Sequence, residues 1–290
     1  MAPPRLVMVA GPNGSGKTTL IRALLAAQDI SLPTLYVNAD DLRDERRLDA
    51  RAAQRLAESL RLEAIAAGRG FMYETVMSHP SKIAELQTAV RAGYAITAVF
   101  VATEDPEINI ERVALRVADG GHDVPRDRIR ARHRRSLALA PSAIGFAAHA
   151  YIYDNTSWGG ESAQQLQAVL VQTRLKAATA RLVAWVRELI DTVNTRAAEL
   201  EDIYSSAEER AALTIPNLVD GVTDGPIAVA GRHFVLQMDQ ASSKTIIHDR
   251  ALLSRAPLRR RHYRIEYAQG VSKVTRRAGA RIRAVKPTAK

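Results

Sequence analysis

Residues 6–19 read Leu6-Val7-Met8-Val9-Ala10-Gly11-Pro12-Asn13-Gly14-Ser15-Gly16-Lys17-Thr18-Thr19. A five-residue apolar run suited to a buried strand leads without a gap into G-x-x-x-x-G-K-T. Leu20 to Leu25 then take up helical apolar spacing. Strand, glycine-rich loop and helix in that order build a phosphate cradle. The backbone N–H groups of such a loop point inward, and the helix N-terminus adds its positive end. Gly11, Gly14 and Gly16 permit close backbone approach. Lys17 is placed to reach β- and γ-phosphates, and the Thr18 hydroxyl to sit on Mg²⁺. Pro12, Asn13, Ser15 and Thr19 complete the nucleotide-binding stretch.

The pattern after this motif sets the fold class. Apolar strands are expected at Thr34 to Val37, Phe71 to Tyr73, Ala95 to Ala102 and Ala148 to Tyr153. Helical segments are expected at 48–67, 80–92, 106–117 and 126–139, several of them closed by glycine. This alternation predicts an α/β fold with a five-stranded, mostly parallel sheet flanked by helices. In such sheets ligands bind beyond the carboxyl ends of the strands. The polar residues cluster at those ends: Asn38 to Asp41, Glu74 to Ser78, Thr103 to Asp105, Asp154 and Asn155. One site can collect them.

Composition narrows the classes. The chain has 290 residues, no cysteine and a formal net charge of +10. Disulfides and thiolate–zinc sites are excluded, which suits a reducing cytoplasm. The N-terminus does not read as a signal peptide, and no apolar stretch reaches the length of a membrane span. The seven histidines form no H-x-x-x-H or H-x-H pair, so no histidine metal site is indicated. Charge is uneven. From Pro226 onward fifteen Lys/Arg face three Asp/Glu, so this stretch carries +12 and the remainder about −2. A polyanionic partner, nucleic acid among them, is the expectation for the C-terminal part.

The sequence further predicts a long helical segment from Glu161 to Glu209. Val186, Ile190, Val193, Ala197, Leu200 and Tyr204 form its apolar stripe, which suits packing on its own domain or dimerisation. A turn-rich break follows at Pro216 to Pro226. Short alternating strands are expected at 227–229, 233–237, 245–248 and 263–267, making a small β-rich unit. The resulting division is a kinase-like domain over 1–158, a helical extension over 159–212, a basic β-rich domain over 213–278 and a basic tail over 279–290.

Phosphoryl transfer to an acceptor needs a base and cations around the moving group. Asp40 is the candidate base, on the expectation that its strand neighbours the phosphate-loop strand. The alternative is that Asp40 or Asp41 caps the next helix. Glu74 is placed to hold Mg²⁺ through water or to bind acceptor hydroxyls, with a structural role at the strand end as the alternative. Arg112, Arg116, Arg126, Arg128, Arg130, Arg132, Arg134 and Arg135 fill a helix–Gly-Gly–helix stretch before the last strand. Guanidinium groups there suit a lid over phosphate, although most surface arginines are only solvated.

These motifs together resemble the zeta-toxin family of P-loop kinases over residues 5–158. The match runs through Gly11 to Thr19, Asn38-Ala39-Asp40, Glu74 to Pro80, Val101 to Val113, Arg116-Val117, Gly120 to Pro125, Arg132 to Ser136 and Tyr153-Asp154-Asn155. The resemblance implies ATP-dependent phosphorylation of the 3′-hydroxyl of the N-acetylglucosamine unit of UDP-N-acetylglucosamine. It further implies that Lys17 and Thr18 bind ATP-Mg²⁺, with Asp154 and Asn155 on the nucleotide side. Asp40 would be the base, Asn38, Glu74 and Thr75 would face the acceptor, and Arg116 with Arg132 or Arg135 would hold the phosphoryl group. An antitoxin partner belongs to the same expectation. Residues 225–270 resemble the small KfrB-type domain of plasmid-borne proteins. Two other readings remain open: a kinase for another acceptor such as an antibiotic, and a plasmid-maintenance protein that binds nucleic acid and uses the nucleotide as a switch.

Overall fold

The computed structural model describes residues 2–27, 32–157, 164–207 and 212–277. They form two compact units, residues 1–194 and 195–290. In the first, β1 (Arg5–Ala10) is buried along nearly its whole length and leads into α1 (Lys17–Ala27). Then come β2 (Leu35–Val37), α2 (Ala39–Arg46), α3 (Ala50–Ala66), β3 (Phe71–Thr75), α4 (Ser81–Arg91), β4 (Ala95–Ala102), α5 (Pro106–Ala118), α6 (Arg126–Phe146) and β5 (His149–Asp154).

Local chemistry sets these boundaries. Asn38 caps α2, Asp49 accepts from Arg51 N and Ala52 N at the start of α3, and Asp105 with Pro106 opens α5. The first five strands pair in parallel in the order β2-β3-β1-β4-β5. Buried Val7, Val9, Leu20, Ile21, Leu24, Met72, Val99 and Val101 pack α1 onto the sheet. β4 is buried on both faces, as its continuous apolar run demands. Helix α6 runs on to Phe146 through an internal Pro141, beyond the expected end at Leu139. Its added turn is buried, so tertiary packing carries the helix past its own breaker.

The expected helix over 161–209 is corrected in part. Residues 165–178 form an antiparallel hairpin of β6 (Gln165–Val171) and β7 (Arg174–Ala178), which extends the sheet to seven strands. Its turn is Gln172-Thr173, with φ of 49° and 66°. That pair supplies the left-handed geometry of a tight hairpin without Asn or Gly, so the usual sequence signal is missing. Among the described residues of that stretch only α7 (Ala184–Ser206) is helical, with Val186, Ile190 and Val193 buried. Residues 161–163 and 208–209 of that expectation lie outside the described residues.

The second unit holds β8 (Leu213–Thr214), β9 (Val222–Ala230), β10 (Phe234–Met238), β11 (Thr245–Asp249), β12 (His262–Ala268) and β13 (Val271–Arg276). Their order is β13-β12-β9-β10-β11-β8. The expected break at 216–226 gives way at Val222, because β9 passes straight through Gly225-Pro226. A side chain at Gly225 would run into the Met238 carbonyl, so this glycine serves close strand contact rather than a turn. The basic tail over 279–290 lies outside the described residues. Among the described residues no helix is long and apolar enough to cross a membrane.

Candidate active site

The phosphate loop is built for close approach. At Gly14 φ is +75°, and a Cβ there would lie 2.5 Å from the Asn109 carbonyl oxygen. A side chain at Gly11 would collide with the Val101 carbonyl. Only glycine fits either place. The loop is braced from outside by buried Asn109, whose Nδ2 donates to Asn13 O at 2.6 Å while its Oδ1 accepts from Thr103 Oγ1. Asn155 Nδ2 donates to Ser15 O at 2.8 Å, and Gln164 Nε2 to Gly16 O at 2.9 Å. Ser15 Oγ and Asn155 Oδ1 are buried without a partner. Orphaned polar atoms beside a glycine cradle are what an absent polar ligand would leave.

Lys17 is buried, donates to Pro12 O at 2.9 Å and stands 3.9 Å from Glu74 Oε1. Burial lowers its pKa and Glu74 opposes that, while Arg116 and Arg132 push it further down. A cation desolvated in this way gains from the arrival of phosphate. Thr18 Oγ1 donates to Glu74 Oε2 at 2.9 Å. Glu74 also accepts from Tyr36 OH at 3.5 Å, and burial together with the Glu74 charge raises the Tyr36 pKa.

Here the expected topology is corrected. The strand leading to Asp40 is the sheet edge, and β3, which ends at Glu74-Thr75, is the neighbour of β1. Glu74 therefore flanks the phosphate loop directly. Asp40 reaches the same cavity from the first turn of α2. Its carboxylate is 77% exposed, 3.5 Å from Arg43 Nη1. The helix cap is Asn38, whose side chain accepts from Asp40 N at 2.9 Å. Capping thus falls to Asn38 and leaves the Asp40 carboxylate open to the cavity. Asp41 sits among Glu45, Glu74, Asp40 and Asp44, and desolvation followed by these like charges raises its pKa.

The arginines divide. Arg112, Arg116, Arg128 and Arg132 line the cavity, and Arg132 Nη1 donates to Asn13 Oδ1 at 3.1 Å. Arg116 Nη2 donates to His122 O at 2.9 Å, holding the Gly-Gly turn. Arg135, expected beside Arg132, is exposed and does not line the cavity. It sits nearly a full helical turn farther along α6 than Arg132. Arg130 belongs to a pair with Glu107 at 2.6 Å. Asp154 is also corrected. Its carboxylate accepts from Trp185 Nε1 at 2.7 Å and Thr156 Oγ1 at 2.6 Å, away from the cavity. Asn155 alone of that pair serves the loop.

The cavity measures about 1340 Å³ and extends beyond the phosphate loop along α3. Ala50, Gln54, Ala57, Glu58 and Arg61 line the cavity, as do His79 and Lys82. The α3 positions step by three and four, so one helical face makes the wall. Sequence reading missed this arm, although the spacing was visible.

A model for the zeta toxin family matches residues 2–144, and a model for the KfrB domain matches residues 222–276. An uncharacterized protein of Haemophilus influenzae is 30% identical over 129 residues, 44% of this chain and 92% of its own. Among solved structures, one of the PezAT toxin–antitoxin system of Streptococcus pneumoniae is similar at 15% identity and TM-score 0.44, over 70% of this chain and 89% of that one. The AvrRxo1-ORF1:ORF2 complex with ATP is similar at 14% identity and TM-score 0.46, over 66% and 63% of the two chains. The zeta-toxin match supports a kinase-type phosphotransferase that binds nucleotide. Through residues 2–144 the chain belongs to the zeta-toxin family, and residues 222–276 add a KfrB domain to it.

Proposed function

We propose that the chain is an ATP-dependent kinase that phosphorylates the 3′-hydroxyl of the N-acetylglucosamine unit of UDP-N-acetylglucosamine. The observation that carries this reading is one continuous cavity. It holds the phosphate loop, the open carboxylate of Asp40 and a polar arm along α3. At about 1340 Å³ it exceeds the ~300–1,000 Å³ of a single-ligand pocket, which suits two large substrates at once.

The residues fit ATP with Mg²⁺. The glycine cradle, the buried Lys17 and the orphaned Ser15 hydroxyl await a polyphosphate. Thr18 and Glu74 are the oxygen donors that would hold the ion or its waters, which matches the oxygen preference of Mg²⁺. No group of three or more His, Cys, Asp or Glu side chains that could hold a metal occurs among the described residues. The remaining ligands would be phosphate oxygens. Bound there, Mg²⁺ neutralises charge on the phosphates.

In this reading Asp40 accepts the proton of the sugar hydroxyl. The hydroxyl oxygen then bonds to the γ-phosphorus while the bond to the bridging oxygen breaks, and ADP leaves. Lys17, Arg116 and Arg132 stabilise the charge spread over the transferring group. Arg116 and Arg132 come from α5 and α6, so closing these helices over the site would gather cations as water leaves. Asn38 and Thr75 shape the acceptor side, Thr75 by accepting Met77 N at Oγ1, 3.1 Å. An antitoxin partner and a cytoplasmic site of action go with this reading. The test is mass spectrometry of products from purified protein, Mg-ATP and UDP-N-acetylglucosamine. A species heavier by one phosphate is expected. ADP without that species would reject this acceptor and keep the kinase.

A further inference from the structure

The second unit carries a charge separation that the linear sequence hides. Strand β9 runs antiparallel to β10 and β12, β10 to β11, and β12 to β13. The end of β9, the start of β10 and the end of β11 therefore meet at one end of the sheet, and the start of β12 and the end of β13 face the same way but stop level with Gly225-Pro226, partway along β9. Arg232 lies in the β9–β10 turn. Arg250, Arg255, Arg259, Arg260 and Arg261 lie in the β11–β12 connection, and Arg276 and Arg277 close β13. The opposite end carries Asp220, Asp239, Lys244, Lys273 and Glu266, and is near neutral.

The arginine end is not self-neutralised. Its carboxylates are engaged: Asp249 with Arg196 at 2.6 Å, Glu199 with the N–H groups of His233 and Phe234, and Asp224 with His262 and Arg277. Among the described residues, Arg232, Arg250, Arg255, Arg259, Arg260, Arg261 and Arg276 make no ion pair. All but Arg250 are exposed. The connection that presents them is fixed. Arg260 N donates to Ile227 O, Leu258 N to Tyr263 OH and Arg259 Nε to Ala228 O, and Arg255 lies 5.6 Å from the Tyr263 ring centroid.

We propose that this end of the sheet binds the phosphodiester backbone of a duplex nucleic acid. The surface is arginine without lysine, and guanidinium forks suit phosphate oxygens. Three strands at about 4.8 Å, flanked by the Arg259–Arg261 stretch held to Ile227 and Ala228, make a front roughly 15 Å wide. That length of duplex carries about nine phosphate charges. A lipid surface fits less well. Among the described residues the large exposed apolar side chains at this end are Leu258 and Val229, with no aromatic among them, whereas membrane-surface elements use a broad aromatic and apolar face. The inference stands apart from the kinase reading and uses none of its residues.

The test is fluorescence anisotropy of the full chain on a labelled duplex of arbitrary sequence across a salt series. An Arg259→Ala/Arg260→Ala/Arg261→Ala variant is compared with Lys244→Ala/Lys273→Ala, both checked for unchanged thermal unfolding. The wild type should bind with a steep salt dependence. The arginine variant should lose at least tenfold affinity, and its log–log salt slope should fall by about 2–3, at roughly 0.9 per lost phosphate contact. The lysine variant should match the wild type. Absence of binding would overturn the proposal, as would equal losses in both variants or an unaffected arginine variant. Arginine-dependent binding to anionic phosphatidylserine vesicles at lower protein concentration than to duplex would also overturn it.

Discussion

Replacing Asn109 with alanine tests whether the phosphate loop is held from outside. The side chain is fully buried and spans two elements, donating to Asn13 O at 2.6 Å and accepting from Thr103. Two hydrogen bonds at about 1 kcal/mol net each put the loss of stability near 2 kcal/mol. Thr103 has a second acceptor in Asp105 O at 3.1 Å, so its hydroxyl is not orphaned. The Asn13 carbonyl loses its donor, and the cost falls mainly on the loop. If nucleotide must then order the loop itself, up to about 2 kcal/mol is subtracted from binding, or roughly 10- to 30-fold in Kd. Urea unfolding measures the first quantity, and calorimetric titration with Mg²⁺ and a non-hydrolysable ATP analogue the second. Asn109→Asp sharpens the comparison, since it keeps an oxygen toward Thr103 and sets an acceptor against the Asn13 carbonyl. Lost stability with unchanged nucleotide affinity in both variants would refute the reasoning and make Asn109 an anchor of α5 alone.

Asp40→Asn should leave nucleotide affinity within about twofold and reduce transfer by 10²-fold or more, in line with loss of a general base; single-turnover rates near wild type would make it a bystander of the acidic turn. Arg132→Ala should lower kcat more than it raises KM for ATP, whereas Arg135→Ala, off the cavity, should change neither. Equal effects from the two variants would contradict the placement of Arg132 on the cavity and Arg135 off it. The second unit should weaken in acid through His248. Its Nε2 lies 3.0 Å from Gln237 Oε1 and its Nδ1 2.9 Å from Tyr267 OH, a set that the neutral ring satisfies by donating to Gln237 and accepting from Tyr267. Burial takes its pKa from 6.5 down to about 3. Below pH 6.5 the unfolded chain binds a proton that the folded one refuses. Stability therefore falls by about 1.4 kcal/mol per pH unit from near 6.5 toward 3. Chemical unfolding at stepped pH should show a shallower fall in His248→Asn, and parallel profiles would reject the assignment.

What the sequence made legible follows from where its signals are local. The phosphate loop, the parallel strands and the glycine-stopped helices each carry their cause within a dozen residues. The hairpin at 165–178 does not. Its turn takes positive φ at Gln172 and Thr173, residues that give no warning, and Ala-rich strands pass for helix. Strand β13 went unread because Lys273, Thr275 and Arg276 dilute its alternation. Pairing in register with Tyr263–Ala268 of β12 decides it.

The same distinction explains the site. Glu74 and Asp40 both follow short apolar strands, and spacing alone ranks them equally. Sheet order separates them, and order is set by non-local pairing that no window reveals. With β3 beside β1, Glu74 is pressed against Lys17 and Thr18 and is half-buried by them. With β2 at the edge, Asp40 is carried out to where the cavity opens along α3. A carboxylate touching the loop lysine and threonine is suited to the metal that accompanies the phosphates. One standing in open space at the mouth of the acceptor arm is suited to a proton from an incoming hydroxyl. On the proposed reading, the division of labour between the two acidic residues follows from strand order. Exchanging them, as Glu74→Asp with Asp40→Glu, should not exchange their roles. In that exchanged background, Gln at position 40 (Asp40→Gln) should still abolish transfer with nucleotide affinity kept, and Asn at position 74 (Glu74→Asn) should still raise the Mg²⁺ requirement. Each residue's phenotype should follow its position in the sheet rather than the length of its side chain.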